Sequence, residues 1–270
     1  MTTPDHDIDR EAIKAHFIAE RGYWRPWTEA LLRDNPRFLE RYASYAGHPA
    51  RVGPLSEKMV ELIYVALDAS STHLYGSGLR THMEKALAVG ARPQEIFDVL
   101  HLVAAQGIDS VCQAVEILAQ ESAALKTDAT AMAAASERAA LATGEPALPA
   151  ALQARIERLR LRASPAALGL LARQDPGYLP VLLDFLEQGR PDDGLSAAER
   201  CLIEVALRAC FTGFDPVALR QCIRRALHGG CAVGEVLQAI QLGAHLSVHG
   251  AALGAGVFAE LGGAAPADKP

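Results

Sequence analysis

The sequence predicts an all-α fold built from two similar helical units in tandem. Its 270 residues are 50% hydrophobic but only 6% aromatic, a composition typical of close-packed helices rather than sheets. Apolar residues recur at helical spacing along most of the chain. A pattern in the first half is repeated in the second half at one constant offset. Because two unrelated segments rarely keep one register for so long, the recurrence indicates an internal duplication.

The first helices are short and are separated by glycine and proline. From Arg10 to Arg21 the apolar residues fall at three- and four-residue intervals, and Gly22 is expected to end that helix. Pro36 can occupy the first position of a later helix, since that position needs no backbone N–H. Ser56 is a good N-cap for the next helix, which is expected to run to about Ala69.

The helix that follows Ser56 is predicted to have one apolar side. Met59 and Ile63 lie on that side, whereas Glu61 and Asp68 fall on the opposite one. In a monomer the two carboxylates are expected to be solvated, and in an oligomer their side would form an interface. His82, on the next predicted helix, projects within an apolar stripe.

The boundaries of the two units follow from these helices. A long helix is expected from Pro93 to near Glu121, and an alanine-rich stretch follows it. We predict a first unit at residues 10–125, a connecting segment at 126–150 and a second unit at 151–263. Two copies of one unit are expected to pack as a pseudo-symmetric pair, because each then buries an apolar face that it cannot cover alone.

The repeat is recognised from segments that keep one offset along the chain. The matched segments are Leu55-Ser56 and Leu195-Ser196, Val65-Ala66-Leu67 and Val205-Ala206-Leu207, and Gly90 and Gly230. The second copy differs at two positions that carry chemistry in the first. Cys201 stands at the position of Glu61, and Cys222 stands at the position of His82.

Charge and cysteine content exclude several classes of protein. The net charge of −6 argues against a nucleic-acid partner, which would require a basic surface. Five cysteines, an odd number without C-x-x-C spacing, do not form a secreted disulfide framework. The N-terminus lacks the pattern of a signal peptide, and no uninterrupted apolar run is long enough to span a bilayer. We therefore predict a cytoplasmic protein that binds neither nucleic acid nor membrane.

Four pieces of the first unit resemble the carboxymuconolactone decarboxylase and alkylhydroperoxidase D-like family. These are Glu61-Leu62-Ile63 in a helix, His82, Gly90 and Pro93-Gln94-Glu95-Ile96. The resemblance covers residues 27–120 and, more loosely, residues 166–262. It implies two alkylhydroperoxidase D-like helical units packed as a pseudo-dimer. It also implies a homo-oligomer, either a trimer that mimics a hexamer of single units or a dimer.

The chain departs from both chemical branches of that family. The peroxidase branch carries C-x-x-C-x-x-x-H, and its cysteine positions fall on Tyr75 and Gly78. Because neither thiol is present, thiol peroxidase chemistry has no nucleophile there. The decarboxylase branch keeps the histidine with acidic residues shortly before it, and those places hold Gly76 and Gly78.

The resemblance and the remaining polar residues predict cofactor-free acid–base chemistry on a small organic acid from aromatic catabolism. The reaction would be a decarboxylation or a lactone isomerisation. His82 would transfer the proton, since the pKa of histidine lies near working pH, and Glu61 would orient or charge-balance the imidazole. The candidate substrate-binding residues are His73, Tyr75 and Arg80. Of the three, Arg80 is the one whose side chain is most readily explained as solvated.

Two other functions stay open. The first is an antioxidant, peroxiredoxin-like protein in which Cys201 and Cys222 are the candidate redox thiols. The second is a non-catalytic binding or scaffold protein in which both sites have decayed. His245 and His249 are four residues apart and could share a metal ion, but no third ligand is recognisable in the sequence. We therefore predict neither a metal nor another cofactor.

Overall fold

Helices make up the regular structure. The computed structural model describes residues 8–133, 148–159, 161 and 163–261, and every regular element in those ranges is helical. The elements before residue 134 are α1 (Arg10–Arg21), α2 (Pro26–Asp34), α3 (Pro36–Arg51), α4 (Glu57–Ala69), α5 (Gly76–Ala88) and α6 (Pro93–Ala133). Those after residue 147 are α7 (Ala150–Leu159), α8 (Pro165–Gln174), α9 (Tyr178–Gln188), α10 (Ala197–Ala209), α11 (Pro216–His228), α12 (Val233–Gly243), a 3-10 turn (Ala244–Ser247) and α13 (Val248–Glu260). The predicted all-α fold is confirmed.

The chain folds into two compact units that are not continuous in sequence. One consists of residues 1–100 together with 195–270, and the other of residues 101–194. These units are defined by which residues pack together, whereas the predicted boundaries at 10–125, 126–150 and 151–263 are defined by the sequence repeat. The predicted boundaries stay a prediction. Residues 134–147, within the predicted connecting segment, lie outside the described part of the chain.

Corresponding helices begin and end at the spacing of the sequence repeat. α10 is displaced along the chain from α4, and α11 from α5, by the same interval that separates Ser196 from Ser56. Ser56 and Ser196 cap α4 and α10 alike, each with a side-chain oxygen that accepts from the N–H three residues on. Gly90 and Gly230 have φ values of 91° and 92°. That left-handed conformation explains why glycine stands at both helix ends.

The first compact unit contains two hydrogen bonds that mirror each other. The backbone N–H of Leu195 donates to Asp98 Oδ2 over 2.8 Å. The backbone N–H of Leu55 donates to Gln238 Oε1 over 2.8 Å. The two donors are equivalent in the sequence repeat, and so are the two acceptors. Both acceptors are almost fully buried. Each satisfies a backbone N–H just before the N-cap of α4 or α10, which water would otherwise have to satisfy.

Helix α4 is surrounded by other helices instead of having one solvated side. Every residue from Met59 to Asp68 is buried, because α4 packs against α5, α10, α12 and α3. The expectation that Glu61 and Asp68 are solvated in a monomer is therefore wrong, since they are only 7% and 2% exposed. Buried carboxylates need a proton, a hydrogen bond or a cation, which makes both residues candidates for function.

Two helical segments are long and apolar enough to cross a membrane by length and composition alone. They are Pro93–Ser122 and Val233–Glu260. Core helices of soluble proteins pass the same test, so the observation is weak evidence for a membrane. The sequence-based expectation of a protein without a membrane partner stays a prediction.

Candidate functional site

Glu61 and His82 form a buried hydrogen-bonded pair. His82 Nδ1 lies 2.6 Å from Glu61 Oε2, and the two residues are 6% and 7% exposed. α4 presents the carboxylate and α5 presents the imidazole, so their packing makes the pair from residues 21 positions apart. An ionised carboxylate accepts only, so Nδ1 carries the proton and Nε2 is left as the basic nitrogen. Among the described residues, none forms a hydrogen bond with Nε2.

Burial keeps the imidazole of His82 neutral. The pKa of His82 is lowered from 6.5, chiefly because burial disfavours the charged ring, while the hydrogen bond to Glu61 opposes the shift. Lys85 Nζ lies 4.0 Å from Glu61 Oε1 and adds a positive charge on the far side of the carboxylate. A neutral histidine oriented by a carboxylate is suited to abstract a proton from a substrate.

A buried aromatic and cationic cluster adjoins the pair. The ring centroid of Tyr64 lies 4.5 Å from the ring centroid of His82 and 5.1 Å from that of His245. His245 Nε2 lies 3.0 Å from Arg21 Nη2 and 3.1 Å from Tyr42 Oη, both of which can donate to it. Arg21 is only 4% exposed, so a full positive charge is enclosed beside the site.

This cluster is not predicted from the sequence, because its members come from α1, α3, α4 and the 3-10 turn. Arg21 is the last residue of α1, where an arginine is expected simply to interact with the helix dipole. The available signal is a histidine within an apolar stretch near the C-terminus, which the sequence pairs only with His249 as a metal ligand set that lacks a third member. His245 instead directs Nε2 at the guanidinium of Arg21.

His73 and Tyr75, two of the predicted substrate-binding residues, lie together in a second cluster. The ring of His249 lies 4.6 Å from that of His73 and 3.9 Å from that of Tyr75, in stacked geometry with both. Asp68 Oδ1 lies 3.8 Å from His249 Nδ1. Arg80, the third predicted residue, has an exposed side chain.

The loop between α4 and α5 is held in one conformation by its backbone. The N–H groups of His73 and Leu74 both donate to Ser70 O, over 2.9 and 3.0 Å, and that of Tyr75 donates to Asp68 O over 2.9 Å. Leu74 has a φ of 50°, which is unusual for a residue with a branched side chain. This turn orients His73 and Tyr75 toward α13.

Gly78 stands where a side chain would collide with both Asp68 and Tyr75. The same position would carry a thiol in the peroxidase branch, so the space for that thiol is filled here. We expect Gly78→Ala to lower the free energy of unfolding by about 1–3 kcal/mol, because the two neighbours must move. Gly76→Ala is the matched control, since a side chain there would meet nothing within 4 Å.

Urea unfolding of the two variants measures this difference. The Gly76→Ala protein should be unchanged or up to about 1 kcal/mol more stable, because alanine favours helix. Equal stability of both variants would contradict the crowding at Gly78.

The candidate thiols of the second half lie in an environment that keeps them protonated. Burial raises the pKa of Cys222 to about 11, although Arg225 Nη2 lies 3.2 Å from its Sγ. Burial also raises the pKa of Cys201. Glu204 pairs with Arg225 and so opposes the effect of that cation on the thiol. Because the thiolate is the nucleophile, this environment disfavours redox chemistry at either cysteine.

Comparison with known proteins gives a family and a similar solved structure. Residues 36–121 match the carboxymuconolactone decarboxylase family. The chain is also similar to a crystal structure described as a candidate gamma-carboxymuconolactone decarboxylase subunit from Burkholderia xenovorans LB400. That protein is 26% identical, with a TM-score of 0.75 over 94% of this chain and 97% of the other. No curated protein sequence matches the chain.

Proposed function

We propose that this chain, similar to the carboxymuconolactone decarboxylase family over residues 36–121, is an acid–base enzyme that acts on a small organic acid. The buried pair of Glu61 and His82 carries the proposal, because it has the geometry of an oriented general base. The similar solved structure, described as a decarboxylase subunit, supports a lyase-like reaction. Small organic acids from aromatic catabolism that undergo decarboxylation or lactone isomerisation fit this chemistry.

The proposed reaction needs a proton to move between carbon and the enzyme. In a lactone isomerisation Nε2 of His82 accepts a proton from one carbon and returns it to another; in a decarboxylation it first takes up a proton from water and delivers it to the carbon that loses CO2. In both cases Glu61 holds Nδ1–H and stabilises the imidazolium that forms. Loss of CO2 or migration of the lactone bond leaves negative charge on the substrate, which the enclosed guanidinium of Arg21 stabilises. His73 and Tyr75 are proposed to contact the substrate from the loop that precedes α5.

A panel of lactone acids and related small carboxylic acids tests the proposal. Turnover is measured as CO2 release and as loss of lactone absorbance with the purified full chain. Release of CO2 or isomerisation of at least one acid is the expected result. If no acid reacts and some bind, a non-catalytic binding protein is the better description.

The rate should depend on pH through His82. Because burial lowers the pKa of this histidine below 6.5, its neutral form predominates above pH 6.5. For a lactone isomerisation, in which His82 acts first as a base, we expect kcat/KM to be highest at neutral and alkaline pH and to fall at acidic pH, with a midpoint below that of a free histidine. A pH profile with a midpoint above 6.5 would show that another group limits the reaction.

A tandem duplication with pseudo-symmetric packing is part of the proposal. Its support is the shared offset of the helices, the mirrored hydrogen bonds to Asp98 and Gln238, and a further contact between equivalent residues. In that contact Thr72 Oγ1 donates to Thr212 Oγ1 over 3.0 Å, and the two threonines are equivalent in the repeat. A residue that meets its own equivalent lies on a two-fold axis.

A homo-oligomer is proposed from the family resemblance, with a trimer or a dimer as the alternatives. Large apolar side chains on α13 are exposed in the single chain, including Leu253 at 70% and Val257 and Phe258 at 47%. Contiguous exposed apolar surface is typical of an interface between subunits. Sedimentation equilibrium of the full chain distinguishes the two assemblies and a monomer.

A further inference from the structure

Three potential metal ligands that are far apart in the sequence meet in the first compact unit. They are Asp68 at the end of α4, His73 in the following loop and His249 in α13. One carboxylate oxygen and one nitrogen from each ring all lie within 4.8 Å of one another. The set is not recognisable in the sequence, because Asp68 and His73 belong to the opposite half of the chain from His249.

We propose that Asp68, His73 and His249 bind one divalent first-row transition metal ion, for which Zn²⁺ is the probe. The proposal goes beyond the proposed function, since the pair of Glu61 and His82 can transfer a proton without a metal. It also departs from the sequence-based expectation that the chain has no metal site.

The two rings face each other through one nitrogen each. His73 Nε2 and His249 Nδ1 lie in direct hydrogen-bonding contact. Both nitrogens are therefore directed into the same small volume. An ion bound by both would take the place of that contact, with the nitrogens about 2.0–2.1 Å from the metal and so about 3.4 Å from each other. A small outward movement of the two rings suffices.

The carboxylate of Asp68 is enclosed without a full set of partners. The residue is 2% exposed, and its Oδ2 has no hydrogen-bond partner in the described part of the chain. A buried carboxylate oxygen without a partner is unfavourable, and more so when it is charged. A cation bound by Asp68 would compensate the negative charge.

The types of ligand and the contacts that hold the two rings also fit a metal ion. Two imidazoles and one carboxylate suit Zn²⁺ and the other late first-row ions better than Mg²⁺ or Ca²⁺, which prefer oxygen ligands. The stacking of Tyr75 on His249 and the left-handed turn at Leu74 hold both rings in place. Three protein ligands leave at least one coordination position open, as in catalytic zinc sites.

Titration of the chelator-treated full chain with Zn²⁺ tests the proposal by calorimetry. We expect one tight ion per chain. His249→Ala and Asp68→Asn should each weaken binding by at least about 100-fold, because loss of an outer-sphere partner alone costs about 10–100-fold. His48→Ala is the matched control, since His48 is exposed on α3. The Zn²⁺ affinity of the His48→Ala protein should equal that of the unaltered protein.

A second measurement keeps the test decisive if a histidine variant folds poorly. Asp68→Asn preserves side-chain size, so this variant is expected to fold. The visible spectrum of Co²⁺ bound to the unaltered protein should show the bands of a site with nitrogen and oxygen ligands, and the spectrum of the Asp68→Asn protein should lack them. Zn²⁺ binding that is equally tight in the Asp68→Asn and unaltered proteins would overturn the proposal. Absence of a one-to-one Zn²⁺ complex, or equally tight binding of Mg²⁺, would overturn it too.

Discussion

Replacement of His82 by alanine is expected to lower kcat for a reactive lactone acid by about 10²- to 10⁴-fold, the usual contribution of a positioned general base. The physical reason is that Nε2 of His82 has no substitute, since the other histidine of the adjoining cluster, His245, directs its Nε2 at Arg21. Turnover at saturating substrate measures the loss. Glu61→Gln should cause a smaller loss of kcat, because glutamine orients Nδ1–H but cannot balance an imidazolium charge.

The second half of the chain offers the matched control for this experiment. Cys222 occupies the position that His82 has in the first half, and it is buried to a similar extent. Cys222→Ser should leave kcat unchanged, and it should also leave any peroxidase activity unchanged, because its thiol is protonated at neutral pH. Unaltered turnover in His82→Ala would exclude this histidine as the catalyst. An equal loss in both variants would assign the effect to folding.

Replacement of Asp98 by alanine is expected to lower the free energy of unfolding by about 3–5 kcal/mol, the cost of removing one partner of a buried ion pair. Asp98 is fully buried at the start of α6. It pairs with Arg200 and accepts from the N–H of Leu195. Its removal leaves a largely buried guanidinium without its carboxylate. Urea denaturation followed by circular dichroism measures the change.

Gln238→Ala is the control, because Gln238 holds the equivalent place in the second half of the repeat without a charge. Its amide accepts from Leu55 N and donates to Pro49 O over 2.8 Å each. We expect a loss of about 1–3 kcal/mol, the cost of leaving buried neutral partners unsatisfied. A loss at Asp98 no larger than that at Gln238 would show that the ion pair contributes little beyond its hydrogen bonds.

Helix positions were predictable because they depend on local chemistry. α1 spans the predicted residues, and it ends at Gly22, whose φ of 71° is left-handed. α4 begins after the predicted cap Ser56 and ends at Ala69. Caps, glycine stops and apolar periodicity act within a few residues, so they can be recognised in a single sequence. The long helix α6 is an exception, since it continues past Glu121 and is helical as far as the described residues extend, to Ala133.

The candidate site was predicted in part. Glu61 and His82 were chosen through a family resemblance, and the structure brings their side chains together. Periodicity alone assigned Glu61 and Asp68 to a solvated side, because a single helix does not show how many neighbours will cover it. Arg80, a candidate that the helical spacing placed at the margin of the apolar face, has an exposed side chain.

The sequence by itself determined the helical class, the helix ends and the recurrence of one pattern in both halves, because these follow from interactions between near neighbours in the chain. Only the tertiary structure decided which polar groups are enclosed together. Packing of α4 against α5, α10 and α12 buries Asp68, and α13 brings His249 to the same place. Residues so far apart in sequence carry no local pattern that records their contact.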